Sequence, residues 1–132
     1  KINPNLFNDY RNDYLDIIYG ICTNLPCPDC SDHAKMVLKE AYYNKIENKE
    51  DLIEFLILFH NIVNKRLNKP KFEEIDNLYN NKNLVMLFND MINIHSKFKS
   101  TNQKLMAHNF QRNLYMRKLY EQFNHISKTF LI

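Results

Sequence analysis

The chain has 132 residues, enough for one domain with a hydrophobic core, and its 45% hydrophobic and 25% charged residues are ordinary for a globular protein. Its net charge of +3 does not by itself argue for nucleic acid, and its longest apolar run is far too short to cross a bilayer. Because phosphate-cradling loops need several glycines, the single Gly20 nearly excludes Rossmann and P-loop nucleotide sites. Three cysteines are too few for a disulfide scaffold.

Apolar residues recur every three or four positions along the chain, which predicts an all-helical protein. The first helix is predicted over Tyr10 to Leu25, and Pro26 and Pro28 end it and open the second helix. A third helix is predicted over about Glu50 to Leu67, and Pro70 ends it. This third helix has almost no polar face, so we expect it in the middle of a helical bundle.

The pattern beyond Pro70 predicts a short helix through Glu73 to Leu78, followed by a polar linker. Two amphipathic helices follow, one from Leu84 to Phe98 and one after Thr101, the candidate N-cap, that extends to Ile126. We therefore divide the chain into a helical core, residues 1–79, and a two-helix C-terminal extension, residues 80–132. The extension is expected to pack on the core, to form a dimer contact or to bind another protein.

Cys27 and Cys30 bracket a Pro-Asp pair in the stretch LPCPDC. If Pro28 is the first helical residue, both sulfurs lie at a helix N-terminus, whose partial positive charge favours a thiolate. Asp29 acts in the opposite direction, because a nearby negative charge raises a thiol pKa. The spacing suits a reversible disulfide, but buried inert thiols and a zinc site remain alternatives. The zinc ligands would be Cys22, Cys27, Cys30 and His33.

Three polar side chains, His60, Asn61 and Asn64, interrupt the most apolar predicted helix and share one of its faces. A buried amide or imidazole without a partner costs roughly 1–3 kcal/mol, so this patch needs polar groups of another helix, water or a ligand. The main basic cluster of the chain follows directly: Lys65, Arg66, Lys69 and Lys71. A ligand with a polar ring system and phosphates would satisfy both features. The alternative is a satisfied core histidine beside ordinary solvated lysines.

Two stretches together, LPCPDCSDHA (residues 25–34) and FHNIVNKRLNKPKF (residues 59–72), resemble the Erv/ALR family of FAD-linked sulfhydryl oxidases. That family carries a redox Cys-x-x-Cys at the start of one helix. It also carries a His-Asn-x-x-Asn-x-x-Leu-x-Lys signature on a later helix that wraps the flavin. The resemblance covers roughly residues 6–75. It implies an all-α, Erv/ALR-like four-helix bundle with a fifth short helix, FAD at one end and usually a homodimer.

The resemblance also implies roles for individual residues. Cys30 would be the cysteine nearest the flavin, and Cys27 the outer cysteine that exchanges with substrate thiols. The implied cofactor-binding residues are His33, Phe59, His60, Asn61, Val63, Asn64, Leu67 and Lys69, with no metal. The implied reaction converts two thiols of a partner protein into a disulfide and reduces oxygen to hydrogen peroxide. No nucleic acid or membrane partner is expected.

The chain departs from the family pattern in several places. It contains no Trp, so the Trp- and His-bearing first helix of the family has no counterpart, and it begins at Lys1 rather than at Met, which leaves room for an upstream segment. A second cysteine pair and the family's structural disulfide are also missing. The Asn- and Lys-rich composition and the C-terminal extension fit members from large DNA viruses, with the host cytoplasm or the virion as the expected location. The alternatives are a non-catalytic assembly subunit of a virus particle and a zinc-stabilised helical module.

Overall fold

The structure is a computed structural model that describes residues 1–40, 43–73, 81–97 and 103–131. The five α-helices within these ranges are α1 (Phe7–Thr23), α2 (Pro28–Glu40), α3 (Lys49–Arg66), α4 (Leu84–Lys97) and α5 (Gln103–Ile126). The described part of the chain also contains three short 3₁₀ helices, Pro4–Leu6, Tyr43–Lys45 and Ser127–Thr129. Among the described residues, extended pairing is limited to one bridge between Ile2 and Phe130, so the predicted all-helical class is confirmed. No helix in these ranges has both the length and the apolar character needed to cross a membrane.

Local sequence signals placed most helix ends within three residues. Pro28 opens α2 as predicted. The first helix begins at Phe7, which is almost fully buried, and it ends at Thr23 rather than at Leu25. The side chain of Asn24 donates to the carbonyl of Gly20 at 2.8 Å and closes that end. The predicted short helix after Pro70 and the candidate N-cap Thr101 lie outside the described residues.

The hydrophobic core forms around α1, not around α3. Helix α1 packs on both α2 and α5, and its buried side chains include Tyr14, Leu15 and Ile17. The predicted central position of α3 is wrong, because its buried side chains are Leu52 and Phe55, whereas Leu58 remains 47% exposed. An apolar helix surface gives no information about which of its faces a neighbouring helix covers, and that choice depends on the whole topology.

Helix α5 lies antiparallel to α1 and completes the same core. The hydroxyl of Tyr115 donates to the carbonyl of Ile17 at 3.2 Å, and further along the pair the hydroxyl of Tyr14 donates to Thr129 at 2.6 Å. The core contains side chains from α4 and α5 together with those of α1–α3. The C-terminal helices therefore pack on the core, one of the three roles expected for them, and the domain boundary at residue 79 stays a prediction.

Candidate functional site

The Cys-Pro-Asp-Cys turn (residues 27–30) forms the start of α2. Cys27 is exposed and directly precedes Pro28, and its sulfur accepts the backbone N–H of Cys30 at 3.3 Å. The carbonyl of Cys27 accepts the N–H of Ser31 at 3.0 Å, which is the first helical hydrogen bond of α2. Both sulfurs are free thiols, and Cys30 is half-buried. The turn thus presents one accessible and one partly covered sulfur at a helix N-terminus.

The two thiols of the turn have opposite pKa shifts. The pKa of Cys27 is lowered chiefly by hydrogen bonds from the Cys30 side chain and backbone, and the negative charge of Asp29 opposes this effect only weakly. The pKa of Cys30 is raised, first by its hydrogen bond to Cys27 and then by burial. The positive charge of Arg66 counteracts that rise, so the end of α3 lies near the start of α2. Cys27 is therefore the thiol that ionises first and can exchange with an incoming disulfide or thiol.

Ser31 holds the turn in place, a role that the sequence analysis missed. Its hydroxyl oxygen accepts the N–H of Leu25 at 2.9 Å and also lies 3.4 Å from the Leu25 carbonyl. Ser31 is only 1% exposed. The segment from Leu25 to Ser31 is consequently closed on itself, with both cysteines inside it. A small polar residue one turn into a helix, just after Pro-x-Cys, was the signal available in the sequence.

The third cysteine, Cys22, does not join the turn. It packs against the hydrophobic core, and burial raises its pKa to about 11. Among the described residues, no three His, Cys, Asp or Glu side chains come together as a metal site requires. The zinc alternative, with Cys22, Cys27, Cys30 and His33 as ligands, is therefore wrong. Cys22 is a half-buried thiol on α1.

Helix α3 ends in a Schellman motif, which directs the following chain back along the helix. Asn68 takes a left-handed backbone conformation with φ of 52°, a region that Asn tolerates better than most residues with a side chain. The N–H of Lys69 donates to the carbonyl of Asn64 at 2.8 Å, and the N–H of Asn68 donates to that of Lys65 at 3.2 Å. Residues 69–72, the returning segment, thus lie beside the last turns of α3.

Asn61 fastens this returning segment. Its amide nitrogen donates to the carbonyl of Phe72 at 2.9 Å, and its amide oxygen accepts the N–H of Phe72 at 2.7 Å. The partner that the sequence required for Asn61 is therefore the chain's own backbone. The prediction of a buried imidazole at His60 is wrong, because His60 is exposed, and its ring centre lies 6.0 Å from that of Phe72.

A hollow of about 410 Å³ lies between α3 and the returning segment. Three lysines, Lys65, Lys69 and Lys71, contribute their side chains to its lining. The rest of the lining consists of Leu58, Asn61, Ile62 and Asn64. The hollow therefore combines an apolar wall, two amides and three cations, a set suited to an anionic ligand with a flat ring system.

The structure groups part of the predicted cofactor-binding set and separates the rest. Asn61, Asn64 and Lys69 meet in the hollow. Four other predicted residues do not line the hollow: His33, Phe59 and Val63 are half-buried, and Leu67 is exposed. Phe59 stacks on Phe55 of the core with ring centres 6.2 Å apart. The lining of the hollow does not include Cys27 or Cys30. Arg66, which follows the lining residue Lys65 at the end of α3, places its positive charge near enough to Cys30 to counteract the rise in the pKa of that thiol.

Comparison with known proteins identifies similarity in the part of the chain that contains the turn and the hollow. A family model described as the Erv1 / Alr family matches residues 4–83, which include both the turn and the hollow. A protein of Invertebrate iridescent virus 3, named "Putative FAD-linked sulfhydryl oxidase 096R", is 35% identical to the chain over 71 residues. This match covers 49% of the chain and 48% of the viral protein, so the chain spans about half the length of that relative. No solved structure matches the chain.

Proposed function

The chain belongs to the Erv1/Alr family, and on this premise we propose that it is a FAD-dependent thiol oxidase that forms disulfides in partner proteins. The observation that carries the proposal is the asymmetric dithiol at the start of α2, with an exposed, acidified Cys27 beside a half-buried Cys30. An accessible sulfur that ionises easily is what thiol–disulfide exchange with a protein substrate requires.

The residues of the hollow fit the diphosphate and the rings of FAD. Lys65, Lys69 and Lys71 supply three cations for the phosphates. The apolar side chains of Leu58 and Ile62 provide contact area for a ring, and the Asn64 amide offers hydrogen-bonding groups. The amide of Asn61 is already engaged with Phe72, so we assign it the role of shaping the hollow.

The exchange steps use the sulfurs of the turn. In its oxidised form, the Cys27–Cys30 disulfide is attacked at the exposed Cys27 by a substrate thiolate, and Cys30 leaves as a thiolate that takes up a proton from solvent. The second substrate thiol then displaces Cys27, so two substrate thiols become one disulfide and the enzyme holds two thiols. A bound FAD, held by the lysines and the Asn64 amide of the hollow, would supply the two-electron acceptor needed when the two thiols of the turn return to a disulfide, and the route by which those electrons reduce oxygen to hydrogen peroxide.

The partners of this activity are thiol-containing proteins, and oxygen is the final electron acceptor. We include a homodimer in the proposal on the strength of the family resemblance. Sedimentation analysis of the purified chain across a tenfold concentration range would measure its oligomeric state. A strictly monomeric chain with full activity would remove the dimer from the proposal.

Purification of the chain with and without added FAD tests the main proposal. We expect a retained flavin absorbance band in the visible range and oxygen uptake with a dithiol substrate. Cys30→Ala should abolish oxygen uptake without loss of the flavin. Cys22→Ala, which removes a thiol outside the turn, should retain both oxygen uptake and the flavin. A folded chain that binds no FAD and consumes no oxygen would overturn the proposal and favour the non-catalytic assembly subunit.

A further inference from the structure

We propose that His108, on α5, is a positioning residue that holds the Cys-Pro-Asp-Cys turn by a hydrogen bond to the Leu25 carbonyl. Nε2 of His108 lies 2.5 Å from that oxygen. A carbonyl oxygen can only accept, so this ring nitrogen carries the hydrogen and donates it. The consequence for catalysis rests on the proposed function, but the contact and its effect on the thiols do not.

The contact reaches the turn through a short, closed segment. Leu25 is tied at its N–H to the hydroxyl of Ser31, and Ser31 in turn donates its own N–H to the carbonyl of Cys27. Both cysteines therefore lie within a loop whose two ends are fixed to each other. His108 adds an anchor from a different helix, so the loop is held relative to α5 as well as to α2.

Helix α5 is itself fixed against α1. Tyr115 lies seven residues after His108, two turns along the same face of α5, and its hydroxyl donates to the carbonyl of Ile17 at 3.2 Å. The His108 ring is half-buried. Two donors from one helix face thus contact two backbone carbonyls, that of Ile17 on α1 and that of Leu25 just after it. The family match ends at residue 83, so this anchor comes from a helix beyond the matched segment.

The hydrogen bonds within the turn depend on its geometry. The lowered pKa of Cys27 comes from donors on Cys30 and the backbone of Asp29, which must stay within hydrogen-bonding distance of one sulfur. Without the His108 anchor, we expect the turn to sample more conformations and these hydrogen bonds to form for less of the time. The pKa of Cys27 should then rise toward that of an ordinary thiol, and less of it should be thiolate at neutral pH.

The test measures the reactivity of Cys27 in the reduced, flavin-free chain. The rate of iodoacetamide modification at Cys27 is followed by peptide mass spectrometry between about pH 6 and pH 10. His108→Leu removes the donor, and we expect at least a twofold slower rate at pH 7, roughly the effect of a pKa rise of a few tenths. His108→Gln places an amide N–H near the position of Nε2 and should restore the parent profile.

Two further variants make the result specific. His108→Asn keeps a polar side chain, but its amide nitrogen is one bond closer to the backbone than Nε2 and does not reach the Leu25 carbonyl. This variant should therefore behave like His108→Leu, and it remains informative if the leucine variant does not fold. His125→Leu removes another histidine of α5, whose ring lies near Tyr10 at the opposite end of α1, and should match the parent. Identical Cys27 profiles in the parent, His108→Gln and His108→Asn would overturn the proposal.

A separate measurement distinguishes this inference from the proposed function. Because the alkylation assay uses the reduced chain without FAD and does not depend on oxygen uptake, its outcome is independent of whether the chain is an oxidase. In an active preparation, we expect His108→Leu to lower kcat/KM for a dithiol with an unchanged flavin content. Loss of flavin with a parental Cys27 profile would assign His108 to the stability of the fold and would overturn its role at the turn.

Discussion

The sulfur of Cys27 accepts the backbone N–H of Cys30 at 3.3 Å. Cys30 is therefore both the second thiol of the turn and a hydrogen-bond donor that lowers the pKa of Cys27. The Cys30 thiol adds a second hydrogen bond, the largest contribution to the lowered pKa of Cys27 and to the raised pKa of Cys30. The asymmetry follows from the helix start. Pro28 sets the backbone of the first helical position, and the N–H groups of the first turn then point back at the preceding residue.

The first prediction concerns the Cys30 side chain. Cys30→Ala removes the S–H donor but keeps the backbone N–H, so the pKa of Cys27 should rise by part of its present depression. Cys30→Ser retains a hydroxyl donor at the same position and should give a smaller rise. The pH dependence of Cys27 alkylation measures both values. Equal Cys27 profiles in the two variants and the parent would mean that the side-chain hydrogen bond has no influence.

The second prediction concerns Cys22. Burial raises its pKa to about 11, so almost none of it is thiolate at pH 8. We expect iodoacetamide at pH 8 to modify Cys27 and Cys30 in the folded, reduced chain and to reach Cys22 only after denaturant is added. Mass spectrometry of the intact chain gives the number of modified thiols directly. Rapid modification of Cys22 in the native chain would contradict its place in the core.

Short-range features of this protein were predictable, and long-range ones were not. Pro28 fixed the start of α2, and the spacing of Cys27 and Cys30 placed both sulfurs at that end, because these effects act within one helical turn. The partner of Asn61 lies eleven residues away across a chain reversal, and no periodic pattern indicates such a contact. The contact between His108 and Leu25 spans most of the chain.

The burial of α3 was mispredicted for a related reason. Its sequence is apolar on nearly every face, so composition suggests a central helix, whereas α1 takes that place between α2 and α5. The desolvation argument for His60 then failed, because it assumed a buried environment that the topology does not provide. For Asn61, the same argument correctly required a partner, and the protein supplies it from its own backbone.

The third prediction concerns the chain reversal at Asn68. A left-handed backbone conformation, as at Asn68, costs a residue with a Cβ about 1 kcal/mol; Gly has no Cβ and avoids this cost, and Asn tolerates it better than most residues. Asn68→Gly should leave the free energy of unfolding within about 0.5 kcal/mol of the parent, whereas Asn68→Val should lower it by about 1–2 kcal/mol. Urea denaturation measures both. A valine variant as stable as the parent would show that the reversal does not need this conformation.

The fourth prediction concerns the lysines of the hollow. If Lys69 contacts a phosphate, Lys69→Met should weaken FAD binding about tenfold, the effect of losing one charge-assisted contact. Lys39→Met removes an exposed lysine of α2 that does not line the hollow and serves as the matched control. Fluorescence titration with FAD at two salt concentrations measures both variants. Equal affinities for the two variants would place the phosphates elsewhere.

The fifth prediction concerns the contact between α1 and α5 at Gly20. A Cβ at this buried position would overlap the ring of Tyr115, whose hydroxyl is held by the carbonyl of Ile17. Gly20→Ala should therefore destabilise the fold by about 1–3 kcal/mol, although Ala in place of Gly normally stabilises a helix by roughly 0.5–1 kcal/mol. Thermal and urea unfolding measure the change.

The matched control for Gly20 is the same substitution in a Tyr115→Ala background. With the ring removed, the added methyl group has space, so Gly20→Ala should change sign and stabilise the chain by roughly 0.5–1 kcal/mol. The difference between the two backgrounds is the coupling energy of this helix pair. Because α5 also carries His108, a loosened α1–α5 contact should slow Cys27 alkylation at pH 7 in Gly20→Ala as well. An additive double-mutant cycle would mean that α5 adapts to the methyl group without strain, and that the close packing at Gly20 does not fix its position.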